Sequence, residues 1–156
     1  MWKYLLVFTG LFVCFTAIAC NKTGSPDCEN RHVQKYVIEQ LVAQFRIYLI
    51  PQMNSWHESS YTYETMSACI KTNPTDPVVT KFCKDTITII DKMTSSFNLI
   101  EMAPTSKDEI AKQCICKAEL VMRDSSGESI KLPISYTAQF TPYGLQVTVD
   151  KQIWPD

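Results

Sequence analysis

Residues that build catalytic sites and phosphate-binding loops are scarce in this chain. It has 4 glycines, which leaves little material for the glycine-rich loops that cradle phosphates. It has 2 histidines, His32 and His57, and neither a Gly-x-Ser-x-Gly elbow nor a His-Glu-x-x-His pair occurs. These shortages favour a protein that is not an enzyme and that uses no cofactor and no bound metal.

An excess of positive charge is also missing. The chain has 15 basic and 16 acidic residues, so we expect neither nucleic acid nor an anionic lipid surface as a partner. Internal repeats and low-complexity tracts are absent from the sequence. After a short N-terminal segment, the remaining length suits one domain with a real core and is too short for two.

The N-terminus has the pattern of a secretory signal peptide. Lys3 is its only charge, residues 5–18 are apolar, and Ala17-Ile18-Ala19 is the small-x-small pattern of a cleavage site. The apolar run is short for a transmembrane helix. The expected organisation is a signal peptide over residues 1–19, a flexible tether over residues 20–27 and a single domain over residues 28–156.

Cys20 directly follows the cleavage pattern. Ala17-Ile18-Ala19-Cys20 resembles the lipobox of bacterial lipoproteins, in which the cysteine becomes the acylated first residue. The resemblance implies a lipid anchor at Cys20, and Asn21 after it is similar to lipoproteins sorted to the outer membrane. The location would then be the bacterial cell envelope, facing the periplasm or the cell surface. The alternative is a soluble secreted protein in which Cys20 forms a disulfide.

An exported chain meets oxidising conditions, in which cysteines form disulfides. The candidates beyond Cys20 are Cys28, Cys69, Cys83, Cys114 and Cys116. A Cys69–Cys83 bridge would close a short loop, and Cys28 would pair with Cys114 or Cys116. Cys114-x-Cys116 lacks the second ligand pair of a zinc site and the helix start of a redox Cys-x-x-Cys. We therefore expect structural cysteines.

Alternating apolar and polar residues predict three strands near the C-terminus. The apolar residues recur at every second position over residues 114–122, 130–140 and 145–149. Since side chains along a strand alternate between its faces, this pattern indicates a sheet with one dry and one wet face. Turn residues at 124–127 and 141–144 separate the strands. Pro133 predicts an edge position or a bulge in the second strand.

Helical spacing of apolar residues predicts helices before the sheet. Ser25-Pro26-Asp27 indicates a helix start, and the apolar stripe that follows is expected to stop at Pro51. Residues 61–70 fit a short helix, although Tyr61-Thr-Tyr63 also fits a strand. Asp76-Pro77 is a second helix start, with a stripe that runs to Phe97.

Two shorter elements are predicted between these helices and the three strands. Residues 98–103 indicate a first strand that ends before Pro104, and Ser106-Lys-Asp-Glu109 is a capping box for a short helix through Lys112. The expected class is α+β. A long N-terminal helix and further helices would pack on one face of a curved antiparallel sheet of about four strands. Ile153-Trp154-Pro155 would return apolar surface to the domain.

The element order resembles small bacterial lipoproteins with a cystatin-like or NTF2-like domain. The residues that carry the resemblance lie in the last third of the chain: Cys116-x-Ala118, Ile134-x-Tyr136 and Gly144-x-x-Val147-x-Val149. The resemblance implies a long helix cradled by an antiparallel meander. Such folds serve enzymes and binding proteins alike, so the fold does not decide the function.

The candidate binding residues are large side chains in or beside predicted loops, because aromatic residues are enriched at protein interfaces. They are Trp56, His57, Tyr61, Tyr63, Tyr143 and Trp154. The favoured function is non-catalytic binding of another envelope or secreted protein, as an inhibitor, an immunity protein or an accessory subunit.

Two other functions remain open. The first is a pocket between helix and sheet that holds a small apolar ligand. Its lining would include Val37, Phe45, Ile134 and Tyr136. The second, and least favoured, is a hydrolase that uses His57 and Glu58.

Overall fold

The structure is a computed structural model that describes residues 24–55, 59–72, 76–124, 126–149 and 154. Within these residues the helices come first: α1 (Arg31–Ser55), α2 (Tyr63–Thr72) and α3 (Pro77–Thr94). The strands follow: β1 (Asn98–Asp108), β2 (Gln113–Arg123), β3 (Ser129–Thr141) and β4 (Gly144–Val149). They form one antiparallel sheet in the order β1-β2-β3-β4, which confirms the predicted α+β class.

One face of the sheet is buried beneath α1. Val33, Val37, Leu41 and Phe45 of α1 pack against it. The sheet contributes ten of the alternate positions predicted for the dry face: Cys114, Cys116, Ala118, Leu120, Met122, Ile134, Tyr136, Ala138, Val147 and Val149. Ile130, also predicted for that face, is instead 38% exposed at the start of β3. Burial of each large apolar side chain contributes on the order of 1.5–3 kcal/mol, so this layer is the main core. A second cluster joins Ile50 to Met66 of α2 and to Cys83 and Ile90 of α3.

The start of α1 differs from the prediction. Ser25-Pro26-Asp27 lies before the helix, which begins at Arg31. Asn30 is the cap, because its backbone oxygen accepts from Gln34 N and its side chain accepts from His32 N. Ser25 is held elsewhere: its backbone N and its Oγ both donate to the carboxylate of Glu109. Thus residues 24–27, the described part of the expected tether, lie against the domain.

The end of α1 also differs, because Pro51 does not stop the helix, which continues to Ser55. Proline removes one helical hydrogen bond. Two contacts of the final turn offset this loss. Met53 is buried, and Asn54, which is only 7% exposed, donates from Nδ2 to the backbone oxygen of Tyr61. The predicted irregular segment over residues 52–60 is therefore helical through Ser55, and Trp56, His57 and Glu58 lie outside the described residues.

The predicted boundaries of α2 and α3 are largely confirmed. Of the two alternatives for residues 61–70, the helix is correct, since α2 covers most of that range. Asp76 caps α3, with Oδ1 accepting from Val78 N at 2.8 Å and Val79 N at 3.3 Å, and Pro77 is the first helical residue. The helix ends at Thr94, and Phe97 follows it into the core.

The capping box at Ser106–Glu109 was a wrong prediction. Residues through Asp108 continue β1, where Lys107 pairs with Cys114 and Asp108 pairs with Gln113. Asp108 Oδ1 accepts from Ile110 N and Ala111 N, so the side chain closes a hairpin turn and does not begin a helix. Pro104 lies inside β1, next to a register shift on an edge strand, which is where a sheet tolerates proline.

Pro133 has one of the two predicted environments. It pairs with Glu119 on the β2 side, whereas the ladder between β3 and β4 covers Tyr136 to Thr141 only. Pro133 is thus at an edge position with respect to β4, and its missing N–H interrupts no described ladder bond on that side.

The outer edge of β4 is covered by a single side chain of α1. Gln40 Nε2 donates to the backbone oxygen of Val147, and Gln40 Oε1 accepts from the backbone N of Val149 at 3.0 Å. The amide therefore bonds to β4 as a neighbouring strand would. This contact holds α1 against the sheet and occupies part of an edge that would otherwise be open to strand pairing.

Loss of this contact is expected to destabilise the domain. Gln40→Ala leaves a backbone donor and a backbone acceptor of β4 unpaired at a partly buried position, at a cost of about 1–3 kcal/mol. Urea unfolding should show the loss. The control is Gln52→Ala, an exposed glutamine of the same helix, which should change stability by less than about 0.5 kcal/mol. Equal stability of the two variants would refute the role of Gln40.

The expected signal peptide, Cys20 and the first half of the expected tether, residues 20–23, fall outside the described residues. Among the described helices, none combines the length and the apolar character needed to cross a bilayer.

Candidate functional site

An open cleft of about 470 Å³ lies where the second half of α1 meets the start of α2. We refer to it as the α1–α2 cleft. It is lined by Ala43, Arg46, Ile47, Ile50, Pro51, Tyr61, Thr62, Tyr63 and Glu64. The lining is mainly apolar, with Arg46 and Glu64 as its charged residues. A volume of this size falls in the range of known ligand pockets, and an open, mainly apolar cleft also suits a protruding side chain of another protein.

The final turn of α1 positions one wall of the cleft. Asn54 Nδ2 donates to the Tyr61 backbone oxygen at 2.6 Å, and Asn54 Oδ1 accepts from Ser59 Oγ at 3.0 Å. These bonds hold the segment before α2 against the end of α1. Thr62 and Thr65 then begin α2 with reciprocal bonds between each backbone N and the other's hydroxyl, the arrangement of a capping box.

Arg46 is the central polar residue of the cleft. Its guanidinium lies 3.6 Å from the centroid of the Tyr63 ring, within the range of a cation–π interaction. The Tyr63 hydroxyl donates to Asp91 Oδ1 at 2.7 Å, and Arg46 Nη2 lies 3.8 Å from the same oxygen. Residues of α1, α2 and α3 thus meet in one network, which keeps the Arg46 side chain in a fixed orientation.

One donor of the network lacks an acceptor in the described part of the chain. Arg46 Nε is buried and has no hydrogen-bond partner among the described residues. Nε itself is inaccessible to a bound molecule, but the Arg46 side chain as a whole is 33% exposed, so a partner can contact the guanidinium elsewhere. The pKa of Tyr63 is raised, first by burial and then by its bond to Asp91, with a smaller opposing effect from Arg46. Tyr63 therefore remains a neutral donor at physiological pH.

Ile47 gives the cleft an exposed apolar surface. It is 75% exposed, whereas Ile50, one helical turn later, is 5% exposed and anchors the wall in the second core cluster. An isolated exposed isoleucine needs no explanation. Here it lies beside an arginine and two tyrosines, residue types that dominate binding energy at protein interfaces.

The candidate binding residues from the sequence are divided among several places. Tyr61 and Tyr63 line the α1–α2 cleft. Tyr143 is fully exposed in the β3–β4 turn, away from the cleft. Trp56 and His57 lie outside the described residues.

Trp154 belongs to the core. It is 5% exposed, and its ring packs with Phe45 at 4.9 Å, with Phe97 at 6.0 Å and with Tyr48 at 6.1 Å between centroids. The C-terminal aromatic therefore returns apolar surface to the domain, as the sequence suggested, and its ring is not available for surface contacts.

The cysteines form two groups. Cys28 and Cys116 form a disulfide, one of the two pairings predicted for Cys28, and Cys114 is a buried thiol beside it. Cys69 and Cys83 are thiols in neighbouring helices. Burial and the adjacent Cys69 raise the pKa of Cys83 to about 11, so a reduced Cys83 stays protonated near neutral pH. The predicted Cys69–Cys83 bridge would join these two side chains and remains a prediction.

Tyr136 holds the backbone of Cys28, one of the two disulfide cysteines, in place. Its hydroxyl donates to the backbone oxygen of Cys28 at 3.0 Å, within the buried core. Burial, followed by the negative charge of neighbouring groups, raises the pKa of Tyr136 to about 12. The phenol is thus a structural donor that holds the segment before α1 on the sheet.

No pattern in the sequence indicates that Arg46, Asp91 or Asn54 belongs to a site. Arg46 and Asp91 are polar residues of two different helices, α1 and α3, and no local sequence pattern indicates that their side chains meet. Asn54 follows the proline at which the helix was expected to stop. Of the cleft residues, only Tyr61 and Tyr63 were predicted, as aromatic residues near a loop.

Comparison with protein-family models, with curated proteins and with solved structures gave no match for this chain. The cystatin-like or NTF2-like lipoprotein resemblance therefore stays a prediction.

Tyr136→Phe should change the alkaline stability of the protein. At neutral pH, loss of the bond to Cys28 costs about 0.5–1.5 kcal/mol. The ordinary pKa of 10 rises to about 12 on folding, so the unfolded chain loses this proton first and the wild type loses stability as pH rises through that interval. The variant lacks this loss. Urea unfolding at neutral pH and near pH 11 measures both effects.

The control for this experiment is Tyr143→Phe, because the Tyr143 ring is fully exposed. It should keep the alkaline slope of the wild type. A Tyr136→Phe protein with that same slope would contradict the assignment.

Proposed function

We propose that this protein is an exported, lipid-anchored envelope protein that binds another protein, without catalysis, through the α1–α2 cleft. The observation that carries the proposal is the combination of Ile47, 75% exposed, with an Arg46 side chain that is oriented on the Tyr63 ring and 33% exposed. A surface of this kind gains stability from a partner that covers it.

The cleft favours a partner segment of specific chemistry. An apolar side chain would fill the space between Ile47, Pro51 and Tyr61, which line the cleft. A carboxylate or backbone carbonyl next to it would accept from Arg46. Glu64 at the start of α2 disfavours a second acidic group at that end of the cleft.

Export and anchoring are supported by the sequence. The signal peptide over residues 1–19 and the lipobox-like Ala17-Ile18-Ala19-Cys20 imply acylation at Cys20. The protein would then act at a membrane surface, on an envelope or secreted partner. An inhibitor, an immunity protein or an accessory subunit would all act in this way, by occluding or positioning the partner.

Substitutions in the cleft should weaken partner binding. The measurement is capture of partners from envelope extract by detergent-solubilised protein, with affinity then determined for the isolated partner. Ile47→Asp and Arg46→Ala should each weaken that affinity by about tenfold or more, as expected of interface residues that contribute above about 1.4 kcal/mol.

The matched control is Ile110→Asp, the same change at an isoleucine that is 97% exposed in the β1–β2 turn. It should leave binding intact. Arg46→Lys keeps the charge but lacks the planar guanidinium that stacks on Tyr63 and bonds to a carboxylate through two N–H groups, so it should bind more weakly than the wild type. Equal binding by wild type and Ile47→Asp would refute the proposed site.

A small apolar ligand is the second candidate, favoured by the cleft volume of about 470 Å³. The helix–sheet residues expected to line such a pocket, Val37, Phe45, Ile134 and Tyr136, are instead neighbours in the main core and at most 3% exposed. A ligand would therefore occupy the α1–α2 cleft. This function would be favoured if the wild type captures no partner but binds an apolar fluorescent dye, and if Ile47→Asp weakens dye binding.

The anchoring proposal has its own test. The intact mass of the mature protein from its native host, before and after reduction, should show a diacylglycerol or triacyl group on Cys20. A mass of unmodified residues 20–156, less the hydrogens of three disulfides, would instead establish the soluble secreted alternative.

A further inference from the structure

Three sulfur atoms meet beneath the segment that precedes α1. Cys114 Sγ lies 3.4 Å from Cys28 Sγ and 3.7 Å from Cys116 Sγ. All three Sγ atoms lie within 4.8 Å of one another, and all three residues are 0% exposed. We refer to these residues as the sulfur triad. It is separate from the α1–α2 cleft, and the disulfide accounts for two of its members only.

The structure also explains why the three sulfurs share one place. Cys114 and Cys116 are two residues apart on β2, so their side chains point to the same buried face. Cys28 reaches that face because Tyr136 holds its backbone oxygen and Glu109 holds Ser25 nearby. A third cysteine is not needed for a disulfide. Its position beside the other two is therefore the feature to explain.

We propose that the sulfur triad is a three-thiolate binding site for a thiophilic d¹⁰ cation such as Zn²⁺, and that the bound metal and the Cys28–Cys116 disulfide are alternative states. Zn²⁺ binds thiolates at about 2.3 Å, which places tetrahedral ligand sulfurs about 3.8 Å apart. The two distances from Cys114 are already close to this value. Thiolate ligands select soft or borderline cations over Mg²⁺ and Ca²⁺.

The conversion between the states is balanced by a dithiol reductant. The dithiol gives two electrons and two protons to the Cys28–Cys116 bond, forms its own disulfide, and leaves two thiols. The cation then replaces the protons of the three thiols, which are released to solvent. Lys107, which pairs with Cys114 across the β1–β2 ladder, brings one positive charge near the triad, and Asp27 and Glu109 bring negative charges.

Both states connect the same two parts of the chain. The disulfide joins Cys28 to β2 across 88 residues, and the metal would join the same residues through one ion. The cation would thus hold the segment before α1 on the sheet when the disulfide is reduced. Three ligands leave a fourth position on the ion for water or a small thiol.

The experiment titrates Cd²⁺, a spectroscopic probe for zinc–thiolate sites, into the reduced mature chain under inert gas. We expect one tightly bound ion per chain, with ultraviolet charge-transfer absorption of three thiolates and a higher melting temperature. The disulfide form should show at least a hundredfold weaker binding. Cys114→Ser keeps both cysteines of the disulfide, so we expect it to fold when oxidised. When reduced, it should bind at least tenfold more weakly than the wild type.

Two controls keep the outcome specific. Cys83→Ser removes a buried thiol from the other core cluster and should bind Cd²⁺ as the wild type does. Far-ultraviolet circular dichroism reports whether the loaded protein is folded. The proposal is overturned if Cys114→Ser matches the reduced wild type, if the disulfide form binds equally well, or if the loaded wild type is unfolded.

Discussion

The dry face of the four-stranded sheet has to be covered, and most of the structure depends on how α1 covers it. Packing of α1 side chains against β2, β3 and β4 supplies the apolar contact. Apolar contact alone leaves a helix free to slide along the sheet, and directional bonds remove that freedom. Gln40 bonds to the edge of β4, while the Cys28–Cys116 disulfide and the Tyr136 hydroxyl hold the segment before the helix. The helix is thus fixed along its middle and at its start.

The cleft follows from the length of α1. The helix extends beyond the sheet core, and its last turns pack on α2 and α3 in a separate cluster. A helix that joins two clusters exposes some side chains between them, and Ile47 lies at such a position. Arg46, one residue earlier, reaches Tyr63 and Asp91 and so ties the smaller cluster to α1. Fold stability and a binding surface therefore depend on adjacent residues of one helix.

The sequence predicted those parts of the fold that depend on local periodicity. The strands over 113–149, the cap of α3 and the amphipathic stripe of α1 all follow from neighbours a few residues apart. The predictions were wrong where a residue distant in sequence determines the local structure. Ser25 bonds to Glu109, 84 residues away, so it is not a helix cap. Asp108 closes a hairpin because β1 continues along β2, although its local sequence favours a helix start.

The candidate site was only half predictable for the same reason. Tyr61 and Tyr63 attracted notice as aromatic residues near a loop, but Arg46 and Asp91 become partners only after three helices pack. The cysteines show the converse case. The alternation of β2 places Cys114 and Cys116 on the same face of the sheet. The sequence pattern therefore predicts a disulfide from Cys28 to this face but does not indicate which of the two cysteines forms it. The structure explains that ambiguity physically, since both sulfurs lie within reach of Cys28 and only one of them can bond to it at a time.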